Sequence, residues 1–199
     1  MKYINIQGLT NDKMVELQQF VEKKNDVMLL VETHLMYDKI KEINKDIRRI
    51  DKYRTEGDKK GGGLSIIFNK KTKMLINEEK HNNPDIMVIN LNDRSIKIKI
   101  VLVYFSVRGK PEDRIRNSKI KQDIEKILQN WDKPLILIGD FNGHIQGIGY
   151  QREDENGRII LDFVGRYKLN LLNLDERCIG EATWENKGRR STIDFVLVN

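Results

Sequence analysis

Asp140 and Asn142 close an apolar run, Leu135-Ile136-Leu137-Ile138-Gly139, that follows Pro134. Such a run reads as a strand buried on both faces. It delivers a carboxylate and a carboxamide to the strand's C-terminal mouth. Residues i and i+2 of an extended strand point to the same side, so both groups face one cavity if the backbone stays extended. An acid at the end of an apolar strand is costly unless it is paired, hydrated or acting on something. The bland reading is a Gly-Asp turn after a strand.

Three other residues share that predicament. Asn5 lies inside the first strand, Glu32 follows Val27-Met28-Leu29-Leu30-Val31, and Asp194 is embedded in Thr192-Ile193-Asp194-Phe195-Val196-Leu197-Val198. One such residue is ordinary, whereas four point to strand ends converging on a shared polar site. Crowded carboxylates repel unless a cation or proton sits among them. Hard oxygen donors favour Mg²⁺, with Mn²⁺ as the alternative, and Mg²⁺ commonly takes only one or two protein carboxylates. Glu32 would suffice as the main anchor. A Glu32 paired with one of the many lysines is the competing reading.

Bulk properties narrow the classes. The chain has 199 residues, with 36 Lys and Arg against 30 Asp and Glu, a formal charge of +6. That balance favours a polyanionic partner mildly, although Lys- and Asn-rich composition also arises from nucleotide bias. The single cysteine, Cys178, excludes an internal disulfide and fits a reducing, intracellular compartment. With three scattered histidines, His34, His81 and His144, no zinc-ligand spacing exists. There is no signal-peptide core at the N-terminus and no apolar run long enough to span a bilayer, so no membrane partner is expected.

The elements that must carry these residues follow from periodicity. Strands are expected at Lys2–Gln7, Val27–Glu32, Leu64–Phe68, Ile86–Leu91, Ile96–Tyr104, Leu135–Asp140, Leu171–Leu172, Ala182–Trp184 and Thr192–Val198. Helices are expected from Asn11 or Asp12 to Lys24, over Tyr37–Ile50 with Ile40, Ile43 and Ile47 at helical spacing, from Pro111 to Gln129, and over Arg158–Tyr167. Gly57–Gly63 reads as a loop, and its glycines fit a hairpin turn better than a phosphate cradle. Strands outnumber helices and no linker or repeat is visible. The expected architecture is one α+β domain, two packed, mainly antiparallel sheets flanked by helices.

At this point the motifs meet a known family. Asn5-Ile6-Gln7-Gly8-Leu9, Glu32-Thr33-His34, Gly61-Gly62-Gly63-Leu64, Val103-Tyr104, Gly139-Asp140-Phe141-Asn142-Gly143-His144, Thr183-Trp184 and Ser191-Thr192-Ile193-Asp194-Phe195 occur in order along the whole chain. The set resembles the endonuclease/exonuclease/phosphatase superfamily, and within it the apurinic-like endonuclease domain of non-LTR (LINE-type) retrotransposons. The resemblance implies a four-layer α/β/β/α sandwich and a Mg²⁺-dependent cut of a DNA phosphodiester. In that scheme Glu32 ligates the metal with Asn5 beside it, and Asp140 orients and deprotonates the attacking water. Asn142 contacts the scissile phosphate and Tyr104 donates to its developing charge. Tyr104 reads equally well as a core tyrosine with its hydroxyl bonded. Thr183, Trp184 and Ser191 would line the DNA-facing surface, with Arg189 and Arg190 as basic contacts.

The family pattern continues past Asp194 to a Ser-Asp-His motif whose histidine pairs with that acid. The sequence stops at Asn199, before that motif could occur. The resemblance therefore implies a truncated domain with its last strands missing, a sticky sheet edge at Phe195–Val198, and very weak or absent nicking by these 199 residues. It also implies a reverse transcriptase domain in a longer parent protein and a nuclear location if genomic DNA is the substrate. Two alternatives remain: an abasic-site repair endonuclease of the same fold, and a non-catalytic DNA- or protein-binding relic.

Overall fold

The first strand, β1 (Lys2–Asn5), and the wholly apolar β2 (Val27–Val31) run parallel, joined by helix α1 (Asn11–Lys24). A parallel pair needs such a crossover. The computed structural model describes residues 1–24, 27–36, 46–54, 61–92, 95–107, 109–131, 133–179 and 182–199. These contain β-sheet in both halves of the chain and three α-helices. The class is α+β. The chain divides into two compact units, Met1–Lys97 and Ile98–Asn199.

In the first unit β2 also pairs antiparallel with β4 (Leu64–Asn69), which in turn pairs antiparallel with β3 (Ile47–Lys52). Met14, Leu17 and Val21 form the buried stripe of α1 and pack with Met28, Leu30 and Ile67. Two further strands, β5 (Leu75–Glu79) and β6 (Ile86–Asn92), form an antiparallel pair. The helix expected over Tyr37–Ile50 is corrected: Ile47–Ile50 belong to β3. Ile40 and Ile43 lie outside the described residues. Arg49 and Asp51, two apart and therefore on one strand face, are ion-paired at 2.6 Å with 3% and 7% side-chain exposure. Ser65 donates to the same carboxylate at 2.5 Å. Pairing with β4 outweighs helical spacing there.

The second unit begins within β7 (Lys97–Tyr104), continues through helix α2 (Pro111–Gln129) and reaches β8 (Leu135–Asp140). Pro111 opens α2, and Asp113 accepts from the Lys110 amide at 3.0 Å, closing the first turn. Two short strands, β9 (Ile145–Gln146) and β10 (Gly149–Tyr150), precede helix α3 (Glu155–Tyr167). Asp154 caps α3 by accepting from Gly157 N at 2.7 Å. The two helices are tied by Lys121–Asp162 at 2.7 Å and Arg166–Glu125 at 3.0 Å. After β11 (Asn170–Leu171) and a 3₁₀ turn come β12 (Trp184–Asn186), β13 (Arg189–Ser191) and β14 (Asp194–Val198). The strand order is β11-β14-β8-β7, with β7–β8 parallel and the other two pairs antiparallel. Gly139 stands opposite Val103, and a Cβ there would collide with the Val103 carbonyl. Only glycine allows β7 and β8 this approach.

The sticky edge expected at Phe195–Val198 is also corrected. β11 pairs with Leu197 and Val198, and the Asn173 carboxamide continues the ladder. Its Nδ2 donates to Asp194 O and its Oδ1 accepts from Val196 N, both at 3.0 Å. One side chain thus serves as a surrogate peptide group. Asn173→Ala should cost about 1–3 kcal/mol, since it leaves two strand groups unpaired. The expected readout is a lower urea midpoint with an unchanged m-value.

Candidate active site

Three neighbouring strands put three polar residues in one row. Tyr104 pairs with Asp140 across β7–β8, and Asp140 pairs with Asp194 across β8–β14. Residues opposite each other in a ladder share a face, so a phenol and two carboxylates stand side by side. All three are buried: Tyr104 is 4%, Asp140 1% and Asp194 8% exposed. Each is followed by a fully buried phenylalanine, Phe105, Phe141 or Phe195. Phe105 stacks on Phe141 with centroids 5.2 Å apart, and Phe141 meets Phe195 edge-on at 6.1 Å. The aromatic cluster anchors the backbone that carries the row.

Beyond Asp140 the chain does not stay extended. Asn142 has φ +43, and its amide donates to Asp140 Oδ1 at 2.9 Å. The chain turns on the carboxylate, and Asn142 reaches its place by an Asx-type turn rather than by strand alternation. Its Nδ2 donates to Phe105 O at 2.8 Å, one residue past Tyr104. Phe105 N donates to Asp140 O at 2.8 Å. A carboxamide carries two N–H bonds, and one of them is taken by the Phe105 carbonyl.

Two wholly buried asparagines hold these segments from behind. Asn117 of α2 accepts from Ser106 N and donates to Ser106 O, both at 2.9 Å, and donates to Asn156 Oδ1 at 3.1 Å. Asn156 of α3 donates to Phe141 O at 2.9 Å and Asn142 O at 3.0 Å. Sequence reasoning missed both. Each sits in a helix whose pattern is dominated by isoleucines and charges, and nothing local marks an asparagine as internal.

In the first unit, Asn5 closes β1 opposite Val31, and Glu32 follows at the end of β2. Glu32 (φ +54) and His34 (φ +55) both adopt left-handed backbone, bending the chain sharply out of the strand. Gly8 N and Leu9 N donate to the Glu32 and Thr33 carbonyls at 2.7 and 2.8 Å. From the other side, Thr33 N and His34 N donate to the Gly63 and Gly62 carbonyls at 3.1 Å. Gly63 has φ +85, and a Cβ there would press on Thr33 Oγ1. Gly61–Gly63 therefore clamps the Glu32 loop. The Lys13 ammonium fixes the Ile6–Gly8 turn through the Ile6 and Gly8 carbonyls at 2.7 and 3.0 Å.

The Glu32 carboxylate has no hydrogen bond or ion pair among the described residues. Nor do those residues contain a group of three or more His, Cys, Asp or Glu able to hold a metal. At the ends of the paired strands β1 and β2, the oxygen donors a metal would meet are the Glu32 carboxylate and the Asn5 carboxamide oxygen, which also accepts from Gln7 N at 3.3 Å. That hard-oxygen pair fits Mg²⁺ retaining water and substrate oxygens.

Burial pushes the His34 imidazole below its ordinary 6.5; Glu32 opposes this, while Arg54 and Lys13 reinforce it. Its Nε2 is buried with no hydrogen-bond partner among the described residues. The unfolded chain therefore binds this proton more readily than the folded one, and stability rises with pH through the window below 6.5. Tm should fall as pH drops from 7 towards 5, and His34→Asn, which tolerates left-handed backbone, should flatten that dependence.

The sequence-derived nucleic-acid residues cluster on one hairpin. β12 and β13 pair antiparallel through Trp184–Ser191, Glu185–Arg190 and Asn186–Arg189. Lys187 (φ +48) and Gly188 (φ +75) make the two-residue turn. Arg189 and Arg190 are exposed and Trp184 is half-buried. Arg190 pairs with Glu185 at 3.2 Å. Ser191, 4% exposed, stands behind the outer face. Thr183 Oγ1 accepts from Ile193 N and Asp194 N at 3.0 and 3.1 Å, so it fixes the start of β14.

Residues 98–199, just over half of the chain, match the family model for endonuclease-reverse transcriptase proteins. The chain belongs to this family. The endonuclease-reverse transcriptase match covers the whole Tyr104–Asp140–Asp194 row. The endonuclease domain of TRAS1, a telomere-specific non-LTR retrotransposon, superposes with a TM-score of 0.69 at 17% identity, over 98% of this chain and 82% of that one. An AP endonuclease from Archaeoglobus fulgidus gives 0.63 at 10% identity, over 99% and 84%. An endonuclease/exonuclease/phosphatase family protein from Leptotrichia buccalis gives 0.58 at 16%, over 100% and 86%. At these identities the likeness is one of fold. No curated protein matches the sequence. No helix among the described residues is long and apolar enough to cross a membrane.

Proposed function

We propose that this endonuclease-reverse transcriptase family chain is a Mg²⁺-dependent DNA endonuclease that nicks target DNA for a retroelement, with a reverse transcriptase domain as its partner. The observation that carries the reading is the row of Tyr104, Asp140 and Asp194 on three adjacent strands, with Asn142 turned onto it. Phosphodiester hydrolysis needs positioned oxygens, a proton acceptor and a cation, with no protein nucleophile. In this reading Glu32 and Asn5 hold the metal. When bound, Mg²⁺ supplies Lewis-acid polarisation of a phosphate oxygen and stabilisation of the leaving oxygen.

The remaining work falls to the chain's own groups. Asp140 Oδ1 is tied to the Asn142 amide, which orients the carboxylate to align the attacking water and take its proton. The second Asn142 Nδ2–H and the Tyr104 hydroxyl donate to non-bridging phosphate oxygens as charge builds. Asp194 lines the same face as a second carboxylate. Arg189 and Arg190 on the hairpin meet the DNA backbone, with Trp184 beside them. Action on genomic DNA would place the protein in the nucleus.

The test is conversion of supercoiled plasmid to open circles in Mg²⁺. Chelation should stop it, and Glu32→Ala should lower the rate by about 10²-fold or more while leaving the protein folded. Equal nicking by Glu32→Ala would remove Glu32 from the metal site.

A further inference from the structure

We propose that Asn156 and Asn117 are positioning residues for Asn142: a buried relay of carboxamides through α2 and α3 sets the spacing between the Tyr104 and Asp140 strand ends. The inference rests on the proposed endonuclease reading for its catalytic consequence, but the geometry behind it does not. Both asparagines are 0% exposed. Burying two carboxamides is tolerable only if their donors and acceptors are met, and here the partners are the backbone segments that leave β7 and β8.

Asn117 grips both peptide groups of Ser106, two residues after Tyr104. It passes one N–H to Asn156 Oδ1. Asn156 in turn holds the carbonyls of Phe141 and Asn142, immediately after Asp140. The circuit closes where Asn142 Nδ2 donates to Phe105 O. A residue at φ +43 is outside the ordinary helical and extended regions. Fixing the carbonyls of Phe141 and Asn142 fixes the peptide planes on either side of that torsion. A core-filling role alone would be served by leucine. A chain of amide bonds that ends on the Asn142 carbonyl supplies direction as well as volume.

The first measurement needs no catalysis. The side-chain amide hydrogens of Asn142, followed by ¹⁵N-edited exchange, should exchange about 10-fold or more faster in Asn156→Ala than in the unmodified chain. Because that variant strips donors from two carbonyls and can fail to fold, Asn117→Ala serves as the second variant. Unchanged Asn142 exchange in a folded variant overturns the positioning role.

The second measurement is a double-mutant cycle on single-turnover nicking in Mg²⁺, run well below Tm. Asn117→Ala should lower the rate about 10-fold in the unmodified background and less than about 2-fold in Asn142→Ala. Tm should fall equally in both. Equal rate losses in the two backgrounds, or a fall in Tm with no loss of rate, would overturn the proposal. Absence of nicking by the unmodified chain would defeat the endonuclease reading instead, and the exchange result alone would then decide the relay.

Discussion

Asp140→Asn should reduce Mg²⁺-dependent nicking by about 10²–10⁴-fold, the range expected for loss of a positioned general base, with little change in Tm. The substitution separates chemistry from structure because the Asn142 amide is held by Oδ1, an acceptor that asparagine retains. Its neighbours in the ladder, Tyr104 and Asp194, keep their register. What disappears is the negative charge and the capacity to take a proton from water. Single-turnover rates on an oligonucleotide duplex, with thermal unfolding run alongside, give both numbers. A rate within a few-fold of the unmodified chain would move the proton acceptor elsewhere.

Phe141→Ala should destabilise the protein by about 3–5 kcal/mol, as expected for truncating a fully buried aromatic ring. The ring is at the centre of the cluster, stacked on Phe105 and edge-on to Phe195. Its backbone donates to Ile193 O at 2.9 Å and accepts from Asn156. The lost ring therefore loosens all three strands behind the polar row. Chemical denaturation should show the loss in midpoint. Nicking measured well below the lowered Tm should also fall, because Asp140 and Asn142 flank the cavity. A loss below about 1 kcal/mol would mean that the cluster is not what anchors the row.

The sequence made the row legible one strand at a time. Apolar runs ending at Asp140 and enclosing Asp194 are strand signals, and the cost of burying a carboxylate makes each acid conspicuous. The register that sets Tyr104, Asp140 and Asp194 opposite one another could not be read, because it depends on which strands pair. The three Phe residues that follow them did offer a signal: an aromatic immediately after each polar residue, pointing to the opposite face. For Asn142 the condition of an extended backbone fails, because β8 ends two residues earlier and the chain turns on the Asp140 carboxylate. Ile47 falls at helical spacing from Ile40 and Ile43, and local periodicity carries no information about the pairing with β4 that places it in a strand. Asn117, Asn156 and Asn173 were invisible for a different reason. Their roles lie in bonds to backbone groups remote in sequence, and an isolated asparagine carries no local mark of such partners.

The proposed reaction is hydrolysis of a DNA phosphodiester by water activated at Asp140. The direct measurement is Mg²⁺-dependent nicking of supercoiled plasmid in H₂¹⁸O, comparing the unmodified chain with Asp140→Asn. The expected products are open circles carrying one ¹⁸O atom in the terminal phosphate at each nick, formed by the unmodified chain and nearly lost in the variant. Absence of nicking, unlabelled terminal phosphate, or equal labelled nicking by Asp140→Asn would contradict it.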